Sequence, residues 1–155
     1  MIDPHILFSA ASMVALLAWV PLLLSLFVPA LRRWTWTMTG LVIPGIIAMA
    51  YVLLIATGIK EVGGTDFGSL PEIRRVFAND AALAAGWLHY LAFDTVVGTW
   101  IARDGTGRGI APLLLLPCAL LTFLFGPAGL LLYLLVRLIH RGRPAAALDP
   151  MPERS

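Results

Sequence analysis

The sequence has little of what a soluble protein needs. Only 13% of its 155 residues are charged and 59% are hydrophobic, whereas an ordinary soluble domain is about a quarter charged. Lysine occurs once, at Lys60, and cysteine once, at Cys118. A lone cysteine within the apolar run 113–121 excludes an intramolecular disulfide, a CxxC redox pair and a zinc ribbon. No Gly-rich phosphate loop of Walker or Rossmann spacing occurs, and no Gly-x-Ser-x-Gly elbow, which sets those enzyme classes aside. His5 and His140 stand at segment ends and leave His89 alone in the middle, so neither a haem ligand pair nor a metal cluster is expected. No cofactor is therefore expected. The net charge of +2 is spread over segment ends, and no nucleic-acid partner is expected either.

What is present is apolar length. Mean hydropathy is +0.88, and a bilayer crossing takes about 20 apolar residues, so the chain has room for four or five crossings. Charge punctuation marks four. The first spans about Ile6–Val28 and contains Pro21, a kink candidate; with no basic leader before it, it reads as a retained helix. After an interfacial turn at Pro29, Arg32, Arg33 and Trp34, the second runs from Trp36 to Ile59, loosened at Gly40, Pro44 and Gly45. The long polar connection Lys60–Asn79 carries a capping box, Ser69-x-x-Glu72, opening a short interfacial helix through Phe77. Asn79 or Asp80 caps a third membrane helix to about Ala102, ended by an Arg103-Asp104-Gly105 turn. The fourth covers Pro112–Ile139, and Gly126-Pro127 predicts a break into two stacked half-helices.

The expected fold is thus all-α: a four-helix transmembrane bundle over residues 1–142, one short interfacial helix between helices two and three, and a disordered tail over 143–155. The bilayer is its expected partner, and homo-oligomer formation is left open. Trp19, Trp34, Trp36, Trp87 and Trp100 read as interfacial belt residues. Four crossings put Lys60, Arg74, Arg75, Arg137, Arg141, Arg143 and Arg154 on one side and Arg32, Arg33, Arg103 and Arg108 on the other. That count favours both termini in the cytoplasm; the Arg32-Arg33 pair directly after the first helix argues the reverse.

The third helix carries the costliest residues. An acid at a helix centre costs about 2.5–3.5 kcal/mol to insert, so Asp94 should face the bundle interior. Gly86, Tyr90, Asp94 and Gly98 recur every fourth residue, a polar and small stripe on which another backbone can approach closely. His89 lies five residues from Asp94, about 140° round the helix and about 7.5 Å along it, too far to pair with it. It shares a face with Phe93, Val96, Trp100 and Arg103, an aromatic stripe suited to a long apolar ligand or to plain helix packing. Asp94 reads equally as an interhelical hydrogen-bonding group that only specifies packing.

The stretch GWLHYLAFDTVVGTWIARD, together with FGPAGLLLY, FSAASMVALLAWVPLLL and GTDFGSLPEIRRVFAND, resembles the abscisic-acid-deficient-four-like membrane family along nearly the whole chain. Plant members of that family are implicated in neoxanthin formation. The resemblance implies a membrane protein of carotenoid (xanthophyll) metabolism with a carotenoid as ligand. The absence of a transit peptide suggests a bacterial-type member in the bacterial inner membrane. It also implies a carotenoid-epoxide isomerase, in which an epoxide opens and a neighbouring carbon loses a proton. Asp94 and His89 would then be the catalytic acid and base, with Gly86, Tyr90, Phe93, Gly98 and Trp100 along the ligand. The alternative is a non-catalytic pigment-binding or complex-assembly subunit.

Overall fold

The computed structural model describes residues 3–62 and 68–140, the side chains of 58–62 apart; the tail expected over 143–155 lies outside the described residues. Every regular element among them is helical. Helix α1 (Pro4–Phe27) is capped by Asp3, whose carboxylate accepts from the His5 amide at 2.9 Å, and it runs unbroken through Pro21. The second apolar segment is already helical at α2 (Arg32–Thr37), where an interfacial turn was expected. Arg32 makes this abrupt reversal workable. Its guanidinium donates to the Ser25 and Leu26 carbonyls at 3.1 and 3.2 Å, satisfying orphan acceptors at the end of α1. A π-helical turn at Met38–Val42, around Gly40, then leads into α3 (Ile43–Val62).

Helix α4 (Leu70–Val76) is capped by Ser69, whose Oγ accepts from the Glu72 amide at 3.4 Å; the Glu72 carboxylate accepts from Arg75 at 2.6 Å, so half of the expected box is formed. Helix α5 (Asp80–Gly107) is capped by the Asn79 side chain, which accepts from Ala81 and Ala82 at 3.0 and 3.1 Å. It passes through Ala102 and absorbs the expected Arg103-Asp104-Gly105 turn. The reason is local: Arg108 donates to Asp104 at 2.7 Å across one helical turn, and Gly105 is buried against Leu115, so the last turn is held on two sides.

Helices α1 and α5 are about 36 and 42 Å long at 1.5 Å per residue, enough to cross a hydrocarbon layer of about 30 Å. By length and composition together, Pro4–Phe27 and Pro29–Thr57 qualify as membrane spans. Helix α5 is the polar one and stands at the centre, packed on α1, α3 and α6. Small residues allow this: Ala11 and Ala15 of α1 meet Ala84, Ala85, Leu88 and Ala92 of α5 and Ile47 and Leu54 of α3. A second core joins Trp19, Leu22 and Leu26 to Ile101, Leu115, Cys118 and Tyr133. The outside is apolar as well: Leu113, Leu138 and Ile139 are 74–82% exposed, a surface that water would not tolerate over such an extent.

The fourth apolar segment differs from the stacked pair expected. Helices α6 (Pro112–Phe125) and α7 (Pro127–Ile139) meet at Gly126, where φ is +41° and ψ is −92°. Stacked end to end, Gly129 would stand about 16 Å above Cys118. Instead Gly129 lies against the Thr122 backbone, with the Cys118 carbonyl 2.5 Å from where its Cβ would be. Helix α7 therefore turns back along α6. Its far end returns to the start of α6: the Tyr133 hydroxyl donates to Asp104, and Arg137 Nε lies 3.4 Å from the same carboxylate. The pair is a helical hairpin of arms about 20 Å long, with both ends at the Asp104 end of α5 and its tip half-way along that helix.

Candidate functional site

The hairpin tip meets α5 at Asp94. Asp94 is 9% exposed. Built onto Gly126, a Cβ would stand 2.8 Å from Asp94 Oδ1 and 3.2 Å from Oδ2, so the acid occupies the space that glycine leaves free. Glycine is needed twice here, for the positive φ and for the carboxylate's approach. Because Gly126 is also the N-cap of α7, the carboxyl sits at the positive end of that helix.

The other buried polar groups spend their hydrogen-bonding capacity within the helices. Thr95 donates to the Leu91 carbonyl at 2.7 Å and Thr122 to the Cys118 carbonyl at 2.8 Å. The Thr99 hydroxyl lies 2.8 Å from the Thr95 carbonyl and 2.7 Å from the Thr39 hydroxyl, tying α5 to the π-helical turn. Among the described residues, Asp94 Oδ2 is the one buried side-chain oxygen or nitrogen without a hydrogen-bond partner. An orphaned carboxylate oxygen in such surroundings is costly.

Tyr90, one turn before Asp94, directs its hydroxyl to the Phe123 carbonyl at 3.5 Å. Gly98, one turn after, lies directly under the Trp19 ring, which in turn packs on Phe123 with centroids 5.2 Å apart. Tyr90, Asp94, Gly98, Trp19, Phe123 and Gly126 thus form one polar spot with apolar walls. The four-residue stripe predicted Tyr90, Asp94 and Gly98 as neighbours. Gly86, the fourth member, packs against Phe77 beyond α4, away from this spot.

His89 and Phe93 are brought together with each other and not with Asp94. Their rings stack with centroids 4.5 Å apart on the outward face of α5, and Tyr51 of α3 closes on His89 at 5.9 Å. Phe93 is 60% exposed. Trp100 lies farther along, edge-on to Tyr133 with Arg137 over its ring. Sequence reasoning missed Trp19 and Phe123 as walls, and Gly126 as Asp94's neighbour although it marked the break there. It also missed the Asp104, Arg108, Tyr133 and Arg137 cluster, of which the i,i+4 pair Asp104/Arg108 was the visible part. No group of three or more His, Cys, Asp or Glu among the described residues could hold a metal ion.

Fold and site together define an all-helical, apolar-surfaced membrane-type protein with a carboxyl enclosed at its centre. The ABA4-like family (ABA DEFICIENT 4-like) matches residues 6–133, and the chain belongs to that family. Comparison with curated proteins and with solved structures finds no match.

Proposed function

We propose that this is a multi-pass membrane protein of carotenoid (xanthophyll) metabolism, in which Asp94 transfers the proton of an isomerisation without redox change. Family membership supports the carotenoid connection; the single observation that supports chemistry at this position is the enclosed, partnerless Asp94 Oδ2. As a carboxylic acid, Asp94 gives its proton to an epoxide oxygen as the C–O bond opens. As the carboxylate so formed, it takes the proton released from the neighbouring carbon, whose electrons complete the new double bond. Substrate and product then have the same formula, and the carboxyl ends as it began. His89 is left out of this scheme because its ring lies on the outward face with Phe93 and Tyr51. Tyr90 is the neighbouring group that orients the oxygen functions of the ligand.

A second reading, a pigment-binding subunit without catalysis, is favoured by that outward aromatic face: His89, Phe93 and Tyr51 present stacked rings along which a polyene could lie. One experiment separates the two. Purified protein is incubated with a series of xanthophyll epoxides and the products are analysed by mass and retention. Isomerisation predicts a product of unchanged mass and a loss of about 10²-fold or more in the Asp94→Asn variant, which keeps the shape but cannot supply a carboxyl proton. Binding without conversion across the series would leave the pigment-binding reading.

A further inference from the structure

The two ends of the bundle differ sharply in charge. At the end where α1 finishes, α5 finishes and the hairpin begins and closes stand Arg32, Arg33, Arg103, Arg108 and Arg137, against one carboxylate, Asp104. At the other end, among the residues whose side chains are described, stand Arg74 and Arg75, against Asp3, Glu72 and Asp80. The hairpin sharpens this asymmetry: a fourth crossing would have carried Arg137 to the far side, and the return of α7 brings it within 3.4 Å of Asp104.

Within the arginine end, the charges are not all spent. Arg108 and Arg137 are engaged by Asp104, and Arg32 by the carbonyls closing α1. Arg33 and Arg103 have no acidic partner among the described residues, and both are exposed. Arg103 lies over the Trp36 ring at 5.9 Å, as Arg32 does, and Trp36 Nε1 is fixed by Ser25 Oγ at 3.2 Å. Trp34, 70% exposed, stands beside Arg33. Cations set on and between indoles at the rim of an apolar surface match a layer of phosphate above hydrocarbon.

We propose that this arginine end is a binding face for anionic phospholipid headgroups, with Arg33 and Arg103 as the free cations that contact them. The proposal rests on the membrane part of the functional reading and on none of its carotenoid chemistry. Its geometric corollary is three crossings plus a hairpin that enters and leaves on the anionic side, so that residue 140 ends on the side opposite to α4.

The test uses the full chain in phosphatidylcholine vesicles containing an equal fraction of brominated phosphatidylglycerol or brominated phosphatidylcholine, with tryptophan quenching as the readout. Stronger quenching by the anionic lipid is expected, with a selectivity on the order of tens of fold, since each of the two free arginines contributes on the order of fivefold at a charged surface. Arg33→Gln/Arg103→Gln should bring the selectivity close to one, and Arg74→Gln/Arg75→Gln at the other end should leave it unchanged. Equal quenching by both lipids in the wild type, or selectivity that survives Arg33→Gln/Arg103→Gln, would overturn the proposal. Suppression by inorganic phosphate beyond that of chloride at equal ionic strength would overturn it in favour of a soluble-anion site. Reporters placed after Ser155 and within 63–68 should lie on opposite sides; the same side would remove Arg137 from the face and overturn the five-arginine arrangement. A chain that fails to float with either vesicle sinks the membrane reading itself, a result separate from all of these.

Discussion

Replacing Gly126 by alanine loads the hairpin tip in two ways that can be measured separately. A backbone at φ +41°, ψ −92° is sparsely populated for any residue with a Cβ, which costs about 1–3 kcal/mol. The new Cβ would also stand 2.8 Å from Asp94 Oδ1. Carboxyl or tip must then move within a packed interior, an overpacking cost of about 1–3 kcal/mol more. A combined loss of about 3 kcal/mol corresponds to a fall in Tm of about 6–12 °C for a chain of this size. The assay is thermal unfolding in detergent, followed by near-UV circular dichroism of the five tryptophans. The second arm repeats Gly126→Ala in an Asp94→Ala background, where the backbone cost remains and the contact cost disappears. The two substitutions should therefore couple by about 1–2 kcal/mol. Strict additivity would show that Asp94 does not press on the tip, and a Gly126→Ala protein within about 0.5 kcal/mol of wild type would refute the strained break as well.

Asp104→Asn should loosen the base of the hairpin, because it removes the charge that faces Arg108 and Arg137 in a site where the Asp104 side chain is 11% exposed. A loss of about 3 kcal/mol is expected, with amide hydrogen exchange rising in α6 and α7 before α5; wild-type exchange in the hairpin would contradict this. Gly98→Ala drives a methyl into the Trp19 ring and should cost about 1–3 kcal/mol. Trp19→Phe should recover at least half of that loss in the double variant, and no recovery would mean that the ring is not what meets the methyl.

Local features were legible from the chain because their causes are local. The Asn79 cap and the Ser69 cap depend on residues two and three positions away, and both form as the spacing predicts, while the Glu72 carboxylate of the expected box pairs with Arg75. The interior placement of Asp94 followed from a period of four on one helix. The Gly126-Pro127 pair announces a discontinuity but carries no information about direction. Direction is decided by Gly129 against Thr122 and by Tyr133 reaching Asp104, contacts that join separate elements. For the same reason the four-crossing count assigned Arg137 to the wrong end. His89 and Asp94 were drawn together by chemistry alone; their separation of about 140° around α5 kept them apart.

The hairpin has one more implication, for the order in which the protein is built. Both arms end at the Asp104 end of α5, so the described chain after Gly107 starts and finishes at one end of the bundle. Its seat, however, consists of Gly105, Asp104 and Trp19, which meet Leu115, Tyr133 and Phe123 of the hairpin and stand together once α1 and α5 have docked. The tip residues Leu124 and Phe125 are 58% and 64% exposed and hold nothing in place by themselves. A hairpin seated in this way needs α1 and α5 in place, and its tip closes the interior around Asp94.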